Sequence, residues 1–474
     1  MNHPNNLNQY KNKMIELNKK EYGENYDQLR WISETEAGKA SDQRNKIMID
    51  LKDSIQFLFK NTKPFLNKLS QGCKICGQGS WSCLFINSRC NCRCFYCPAE
   101  QMEDSVPMTN TLPFPKSSDY ADYINKFGFK GMSISGGEPL LTLDTTLNYI
   151  QKVRKKAGEN IYIWLYTNGT MVTGDILLKL KDAGLDEIRF DIGAVNYNLE
   201  KVKAAINVIN YVTVEIPAVP EDFELMKKKI PEMKDIGINY LNLHQLRLTP
   251  YNYEKIAKRN YTFLHEEKVT VLESELTALN LFRYLLENKI ELPVNYCSFV
   301  YKNQFQKAAV RKRNASCIRK IYEDITEQGY IRYLFISGTV DNILNQVNIL
   351  IKNGCRSDHW FLKSSKDRLY FNEKVFKFIE FKDFKLFCGY FEARILPVLS
   401  FHNPFIEINL NKNRNVVIEK IRASEEFELY RDELGYFENY IINKQESFIP
   451  YPENKKWFEI QRLEFIRSGL QEYF

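Results

Sequence analysis

The chain has 474 residues, of which 44% are hydrophobic, 26% charged and 14% aromatic. This balance predicts a globular protein with at least two hydrophobic cores, and it excludes disordered, collagen-like and coiled-coil chains. The 66 basic and 59 acidic residues leave a net charge of +7. That charge is mild for this length and does not by itself require a nucleic-acid or lipid partner.

The sequence gives no indication of membrane insertion or export. It contains no run of about 18 apolar residues, and its first residues, MNHPNNLNQYKNKM, lack the apolar core of a signal peptide. We therefore expect a cytoplasmic protein with no membrane partner. In a reducing compartment, the eleven cysteines point to metal ligation or catalysis rather than to disulfides.

The first two thirds of the chain predict an α/β fold. Residues 1–70 are polar and helix-prone, and we predict a helical N-terminal extension. Over residues 71–295, short apolar runs alternate with amphipathic stretches, as in a parallel sheet with crossover helices. Six runs are predicted strands: 83–87, 131–135, 161–166, 187–192, 211–216 and 240–248. Repeated right-handed crossovers predict a partial (β/α)6 TIM-like barrel, with its chemistry at the carboxyl ends of the strands.

The last third of the chain has a different composition. Residues 296–325 form a basic connector, with six basic side chains between Lys307 and Lys320. We interpret this run as a solvated helix face; an acidic peptide, a phosphate-bearing metabolite or RNA are alternative partners for it. From residue 326 to 474, aromatic strand-like runs alternate with one clear helix, VDNILNQVNILI. This pattern predicts a separate C-terminal α+β domain.

A cysteine motif directly follows the first predicted strand. Cys90, Cys94 and Cys97 have the spacing C-x3-C-x2-C, and an aromatic residue, Tyr96, precedes the last of them. Three thiolates from one loop can hold three irons of a [4Fe–4S] cluster and leave the fourth iron open to a ligand. Cys92 lies within the loop at the wrong spacing, and we interpret it as a bystander.

A glycine turn ends the second predicted strand, in the sequence SISGGEPL. Gly136 and Gly137 allow the backbone to approach a ligand closely, and Glu138 offers an acceptor for an ammonium group.

Together, the two motifs resemble the radical S-adenosylmethionine (SAM) superfamily. In that superfamily, C-x3-C-x-aromatic-C binds a [4Fe–4S] cluster and a GGEP-type turn holds the amine of SAM. The resemblance extends over residues 83–250. More loosely, YTNGT, AGLDEIRFD, VEIPAVP and VNYCSF resemble an orphan branch described as related to pyruvate formate-lyase activating enzyme.

The resemblance implies roles for individual residues. Cys90, Cys94 and Cys97 would ligate the cluster. The side chains implied to contact SAM come from the motifs and from the later strand ends; they are Tyr96, Gly136, Gly137, Glu138, Thr167, Asn168, Asp191 and Glu215. On the sixth strand, His244, Gln245 and Arg247 are expected to face the substrate.

The implied reaction is reductive cleavage of SAM, which yields a 5′-deoxyadenosyl radical that removes a hydrogen atom from a peptide or a small polar metabolite. A donor such as flavodoxin or ferredoxin would supply the electron. One alternative is activation of a glycyl-radical enzyme, although such activases are usually much shorter than this chain. A second alternative is a non-enzymatic zinc or iron–sulfur module that binds nucleic acid through the basic connector. The mild net charge and the GGEP turn disfavour that module, and we do not expect a nucleic-acid partner.

The remaining cysteines leave several interpretations open. Two pairs, Cys73 with Cys76 and Cys94 with Cys97, have the spacing of a zinc ribbon, which would leave Cys90 and the glycine turn unexplained.

If the [4Fe–4S] cluster takes Cys94 and Cys97, then Cys73, Cys76 and Cys83 are free for a second metal site, completed by Cys297 or Cys317. An auxiliary iron–sulfur cluster, a structural zinc and unliganded thiols are the alternatives for these residues.

Overall fold

The structure, a computed structural model, describes residues 4–101, 105–445 and 454–474. The chain forms two compact units. The larger one contains Asn8–Gln306, Leu410–Arg414 and Ser468–Phe474, and the smaller one is built mainly from Lys307–Asn409 and Asn415–Arg467. In the described parts of the chain, no helix has the length and apolar character that crossing a membrane requires.

A parallel sheet dominates the larger unit. The strands of this unit are β1 (Gln56–Leu58), β2 (Lys63–Leu66), β3 (Trp81–Asn87), β4 (Met108–Thr109), β5 (Leu112–Pro113), β6 (Gly131–Gly136), β7 (Tyr162–Thr167), β8 (Glu187–Phe190), β9 (Tyr211–Pro217), β10 (Tyr240–His244), β11 (Phe263–Leu264), β12 (Thr270–Val271) and β13 (Val294–Cys297). Eleven of them form one sheet in the order β1-β2-β13-β10-β9-β8-β7-β6-β3-β4-β5. The run from β13 to β3 is parallel throughout.

Helices connect these strands and precede them. Their bounds are α1 (Pro4–Tyr22), α2 (Glu34–Leu51), α3 (Gln71–Gly77), α4 (Ser117–Lys126), α5 (Leu143–Ala157), α6 (Gly174–Ala183), α7 (Glu200–Ala205), α8 (Phe223–Asp235), α9 (Tyr253–Ile256), α10 (Leu272–Glu287) and α11 (Phe299–Tyr301). Capping residues determine both ends of α6. The Thr173 side chain caps the start of α6, and Gly184 ends that helix in the left-handed conformation, with φ of +97°.

The predicted fold class, a partial barrel of β/α units, is confirmed, and the structure adds a seventh parallel strand. All six predicted strands form, although the last of them, β10, ends at His244 rather than at residue 248. The addition is β13, a four-residue strand that is too short to show a periodic pattern. The N-terminal segment is helical as expected but also contributes β1 and β2, which pair antiparallel beside β13.

The short helix α3 carries two cysteines into the larger unit. It packs against β6 and β7, and Gly72 lies directly against the Arg189 guanidinium, where a Cβ atom would be 2.3 Å from Nη2. Cys73 is buried and Cys76 is half-buried. The absence of a side chain at Gly72 therefore lets the helix reach the side of the sheet on which Arg189 lies.

The smaller unit is an α+β structure, as predicted for the C-terminal part of the chain. Its helices are α12 (Lys307–Ile318), α13 (Val340–Lys352), α14 (Arg431–Phe437) and α15 (Lys455–Glu464). Its strands are β14 (Asp324–Ile325), β15 (Ile331–Ser337), β16 (Trp360–Leu362), β17 (Arg368–Phe371), β18 (Lys385–Leu396), β19 (Phe405–Asn411), β20 (Arg414–Arg422) and β21 (Phe427–Leu429). The central strand β15 pairs antiparallel with β17 and β18.

Candidate functional site

The cysteine motif occupies the loop that leaves the carboxyl end of β3. Cys90, Cys94 and Cys97 are all half-buried in this loop, which we call the cysteine loop (residues 88–98). Two amide groups approach the sulfur of Cys90: the backbone N–H of Cys92 at 3.4 Å and the Asn168 side-chain amide at 3.8 Å. Burial raises the pKa of the Cys90 thiol, and it raises that of Cys94 to about 12.

The glycine turn is fastened to the cysteine loop through the backbone. The N–H of Gly137 donates to the Asn87 carbonyl at 2.9 Å, and the N–H of Glu138 donates to the Arg89 carbonyl at 2.6 Å. A Cβ atom at Gly136 would lie 2.2 Å from the Asn87 oxygen, and one at Gly137 would lie 1.9 Å from the Arg89 oxygen. The glycines are therefore required by contact with the cysteine loop, a reason that adds to the expected approach to a ligand.

The carboxylate of Glu138 joins the turn to the end of β7. It accepts hydrogen bonds from the Thr167 hydroxyl at 2.8 Å, from the Asn168 backbone at 2.7 Å and from the Leu140 backbone at 3.0 Å. Burial nevertheless raises the pKa of Glu138 above its usual value. Glu138 therefore holds Thr167 and Asn168 by hydrogen bonds, and Asn168 in turn contacts the sulfur of Cys90.

Tyr96 connects the cysteine loop to β8. Its hydroxyl contacts the half-buried carboxylate of Asp191, whose pKa burial raises to about 6. Its backbone carbonyl accepts from the Asn252 side-chain amide at 3.3 Å, and the same amide donates to the Arg247 carbonyl at 3.1 Å. The loop is therefore held from the ends of β3, β8 and β10.

Glu215 lies in a buried ion-pair network at the end of β9. It accepts from the Arg189 guanidinium at 2.7 Å, from the Asn242 side-chain amide at 2.8 Å and lies 2.8 Å from the His244 Nε2. Burial alone would raise the pKa of Glu215, but the charges of Arg189 and His244 outweigh it and hold that pKa well below its usual range. The chain itself therefore supplies hydrogen-bond and ion-pair partners for Glu215, the residue that the resemblance assigned to SAM.

The residues expected to face the substrate have different surroundings. His244 is 3.2 Å from the Lys302 Nζ through its Nδ1, and its pKa is raised because Glu215 and Cys297 outweigh burial. Gln245 is buried, and its amide is bonded to the Gln471 side chain and to the Phe299 backbone. Arg247 has its guanidinium 5.3 Å from the centre of the Phe299 ring.

The cysteines predicted for a second site surround a buried lysine that the sequence reasoning missed. Lys63 of β2 donates to the Cys297 sulfur at 2.8 Å, and the charges of Cys73 and Cys76 also act on it. Lys63, together with His244, lowers the pKa of Cys297 although burial opposes this. Cys83 lies on β3, where burial raises its pKa to about 11.

Within the described ranges, no three His, Cys, Asp or Glu side chains are grouped closely enough to hold a metal ion. The ligand sets expected for both metal sites therefore stay predictions. Lys63 and Lys302 were missed because β2 and β13 were not predicted. Once β13 is recognised, its carboxyl end, in the sequence CSFVYK, points to Lys302.

Comparison with known proteins identifies the family. Residues 84–212 match the family model "Radical SAM superfamily". The chain is 30% identical over 313 residues to the protein named "Putative glycyl-radical enzyme activating enzyme" of Methanocaldococcus jannaschii, an alignment that covers 63% of this chain and 82% of the relative. It is 26% identical over 311 residues to the "Probable GTP 3′,8-cyclase" of Methanococcus aeolicus, covering 61% of this chain and 95% of the relative.

Two solved structures are also similar. The structure of anSMEcpe with bound AdoMet and Kp18Cys peptide has a TM-score of 0.33 and 18% identity, covering 45% of this chain and 62% of that one. The structure of Streptococcus suis SuiB bound to precursor peptide SuiA has a TM-score of 0.36 and 12% identity, covering 60% and 65%. The chain thus spans less than two thirds of the length of either structure.

The family match lies on the strands that carry the cysteine loop and the glycine turn, and the M. jannaschii relative extends it over most of its own length. The chain therefore belongs to the radical SAM superfamily, and it is an enzyme whose cofactors are a [4Fe–4S] cluster and SAM.

Proposed function

We propose that Cys90, Cys94 and Cys97 hold the [4Fe–4S] cluster and that this enzyme cleaves SAM reductively to abstract a hydrogen atom from a peptide or a small polar metabolite. The observation that carries the proposal is the backbone attachment of the glycine turn to the cysteine loop, through Gly137 N–H to Asn87 and Glu138 N–H to Arg89. It places the two parts of the superfamily signature side by side at the carboxyl ends of β3 and β6.

The residues of the cysteine loop fit a cluster in their chemistry. Three half-buried thiols from one loop form a ligand set that leaves one iron open. The N–H groups of Cys92 and Asn168 that approach the Cys90 sulfur would stabilise a thiolate there. Because burial raises the pKa of Cys90 and Cys94, we expect these thiols to stay protonated until iron binds.

When bound, a [4Fe–4S] cluster and SAM would supply reductive cleavage chemistry and a 5′-deoxyadenosyl radical able to remove a hydrogen atom from the substrate, with the electron coming from a donor such as flavodoxin or ferredoxin. The residues of the chain itself bind the cofactors and hold the cysteine loop in position. The turn around Glu138 holds Thr167 and Asn168 at the edge of the cysteine loop, and Tyr96 with Asp191 closes the loop on the side of β8. We expect His244, at the end of β10, and Arg247, which follows it, to contact the substrate.

The test is anaerobic reconstitution with iron and sulfide, reduction with dithionite and measurement of 5′-deoxyadenosine formed from added SAM. We expect Cys94→Ala to abolish 5′-deoxyadenosine and to lose about four iron atoms per chain. Cys92→Ala is the matched control in the same loop, and it should retain both. Formation of 5′-deoxyadenosine by Cys94→Ala would refute the ligand assignment.

A second candidate function is activation of a glycyl-radical enzyme. It is favoured by the alignment with the M. jannaschii protein, which covers 82% of that relative. The substrate would then be a glycine residue of a partner protein. A glycyl-radical signal in electron paramagnetic resonance, formed on an added glycyl-radical enzyme only in the presence of SAM and this chain, would distinguish this function from action on a small metabolite.

A further inference from the structure

Among the described residues, two cations beside the proposed substrate position have no acidic partner. Arg247 follows β10, and Lys302 follows β13 after the short helix α11. The guanidinium carbon of Arg247 and the Nζ of Lys302 lie 5.3 and 4.8 Å from the centre of the same ring, that of Phe299. In the part of the chain that the structure describes, neither cation has a carboxylate oxygen within 4.0 Å.

The acids in this region are already paired with other cations. Glu215 bonds to Arg189 and lies beside His244, and Glu21, whose charge acts on Arg247, lies 2.7 Å from Lys268. The Cys297 sulfur is 2.8 Å from Lys63. Because these acidic groups already have cationic partners, the positive charges of Arg247 and Lys302 are not balanced by them. Burial lowers the pKa of both, and for Lys302 the Arg247 charge lowers it further.

The charge of the same arginine acts on a buried hydroxyl group, that of Tyr22. Tyr22 is 7% exposed, and its hydroxyl has no hydrogen-bond partner among the described residues. The Arg247 charge lowers the pKa of the Tyr22 hydroxyl, although burial raises that pKa by more. A buried hydroxyl without a partner is unfavourable, and a buried cation without a counter-charge is more so, so a ligand that satisfies both would stabilise this arrangement.

We infer that Arg247, Lys302 and the Tyr22 hydroxyl bind an anionic group, a carboxylate or a phosphate, of the molecule that reacts beside the cysteine loop. A guanidinium fork matches the geometry of such oxyanions, and an ammonium and a hydroxyl supply further donors. Asn252 bonds both to the Arg247 carbonyl and to the Tyr96 carbonyl, so this anion site adjoins the cysteine loop. The inference rests on the proposed function for the identity of the reacting molecule, because the anion can belong to the substrate or to SAM itself.

The test uses inorganic phosphate as the probe with the reconstituted holoenzyme, in anaerobic calorimetry. We expect one phosphate per chain. Arg247→Gln and Lys302→Gln should each weaken phosphate binding at least tenfold, and Tyr22→Phe, which removes only the hydroxyl, should weaken it several-fold. Arg283→Gln is the matched control, since Arg283 is paired with Asp50 on the surface of the same unit, and it should bind phosphate like the wild type.

The affinity for SAM separates the two sources of the anion. If the anionic group belongs to the substrate, the dissociation constant for SAM is unchanged in the variants. If the group is the SAM carboxylate, SAM competes with phosphate, and the variants raise the dissociation constant for SAM by about the factor by which they weaken phosphate binding. Equal phosphate binding by the wild type, Arg247→Gln and Lys302→Gln overturns the inference. The inference is also overturned if the wild type binds no phosphate and the variants have the SAM affinity of the wild type. Failure of the proposed function would show separately, as absence of 5′-deoxyadenosine with an intact phosphate site.

Discussion

The hydroxyl of Tyr96 donates to both carboxylate oxygens of Asp191, at 2.8 and 3.1 Å. The contact needs Gly193, because a Cβ atom at that position would lie 2.7 Å from the Tyr96 oxygen. Tyr96 belongs to the cysteine loop and Asp191 to the end of β8, so this pair fixes the loop across the sheet from the glycine turn. Tyr96 therefore positions the loop whether or not it also contacts SAM.

Replacing Tyr96 by Phe should impair SAM cleavage and leave the cluster in place. A hydrogen bond to a charged group contributes about 1.5–3 kcal/mol, so we expect at least a tenfold loss in the rate of 5′-deoxyadenosine formation. Iron content should not change, because the three cysteines are retained. Tyr197→Phe removes a comparable hydroxyl–carboxylate contact, to Asp222, and serves as the control. Equal rates in the two variants would contradict a positioning role for Tyr96.

A methyl group at Gly137 should separate the glycine turn from the cysteine loop. The added Cβ atom would lie 1.9 Å from the Arg89 carbonyl oxygen, so the backbone must shift and the Glu138 N–H to Arg89 bond is lost. We expect Gly137→Ala to lose most of its iron and its 5′-deoxyadenosine formation. Gly174→Ala is the control, because no atom lies within 4 Å of its Cβ position at the start of α6. An active Gly137→Ala enzyme would show that the attachment is dispensable.

The sequence predicted six of the seven parallel strands because each of the six is a short apolar run between amphipathic stretches. It did not predict β2 or β13, each of four residues, whose pairing is decided by contacts between segments far apart in the chain. The residue pattern of one segment does not reveal which distant segment it pairs with. The buried position of Lys63 on β2 therefore could not be predicted.

The same limit applies to the candidate site. Spacing located Cys90, Cys94 and Cys97 and the glycine turn, because these residues are close in sequence and their chemistry depends on that spacing. Spacing could not show that both the nitrogen and the oxygen of the Gln245 amide form hydrogen bonds, or that Glu215 is paired with Arg189. These contacts join residues that are 26 to 226 positions apart in the chain.

The buried ion pairs of Arg189 predict a large stability effect. Arg189 contacts Glu215 at 2.7 Å and Glu187 at 2.9 Å, with all three side chains buried. Arg189→Met removes the counter-charge of Glu187 and leaves His244 as the neighbouring cation of Glu215, and we expect the free energy of unfolding to fall by about 3–5 kcal/mol. Urea denaturation monitored by tryptophan fluorescence measures it. Lys179→Met removes an exposed pair with Asp175 and should change stability by less than about 0.5 kcal/mol; similar effects of the two substitutions would contradict burial of the network.

His265 should make the protein less stable in mild acid. Burial, with the charges of Lys11 and Lys19, lowers the pKa of His265 to about 4, whereas histidine in an unfolded chain has a pKa of about 6.5. Between these values the unfolded chain binds a proton that the folded chain does not. Stability therefore falls as pH decreases from about 6.5 towards 4, by about 2 kcal/mol after allowance for solvent screening.

The measurement is the free energy of unfolding at a series of pH values from 7.5 to 4.5. His265→Gln should flatten the curve below about pH 6.5, because no proton uptake remains at this position. His402→Gln replaces an exposed histidine and should keep the wild-type slope. A wild-type slope in His265→Gln would show that another group causes the acid sensitivity.

The second cysteine group yields a prediction about iron content. Cys73, Cys76 and Cys297, three of the expected ligands, all act on the charge of Lys63, although among the described residues they are not grouped closely enough to hold a metal ion. If they hold an auxiliary iron–sulfur cluster, Cys73→Ala combined with Cys76→Ala lowers iron from about eight to about four atoms per chain, while the SAM-responsive signal in electron paramagnetic resonance persists. Cys355→Ala, at a half-buried thiol of the smaller unit, should retain all the iron. Unchanged iron in the double variant would exclude the auxiliary cluster and leave Lys63 as the counter-charge of the Cys297 thiolate.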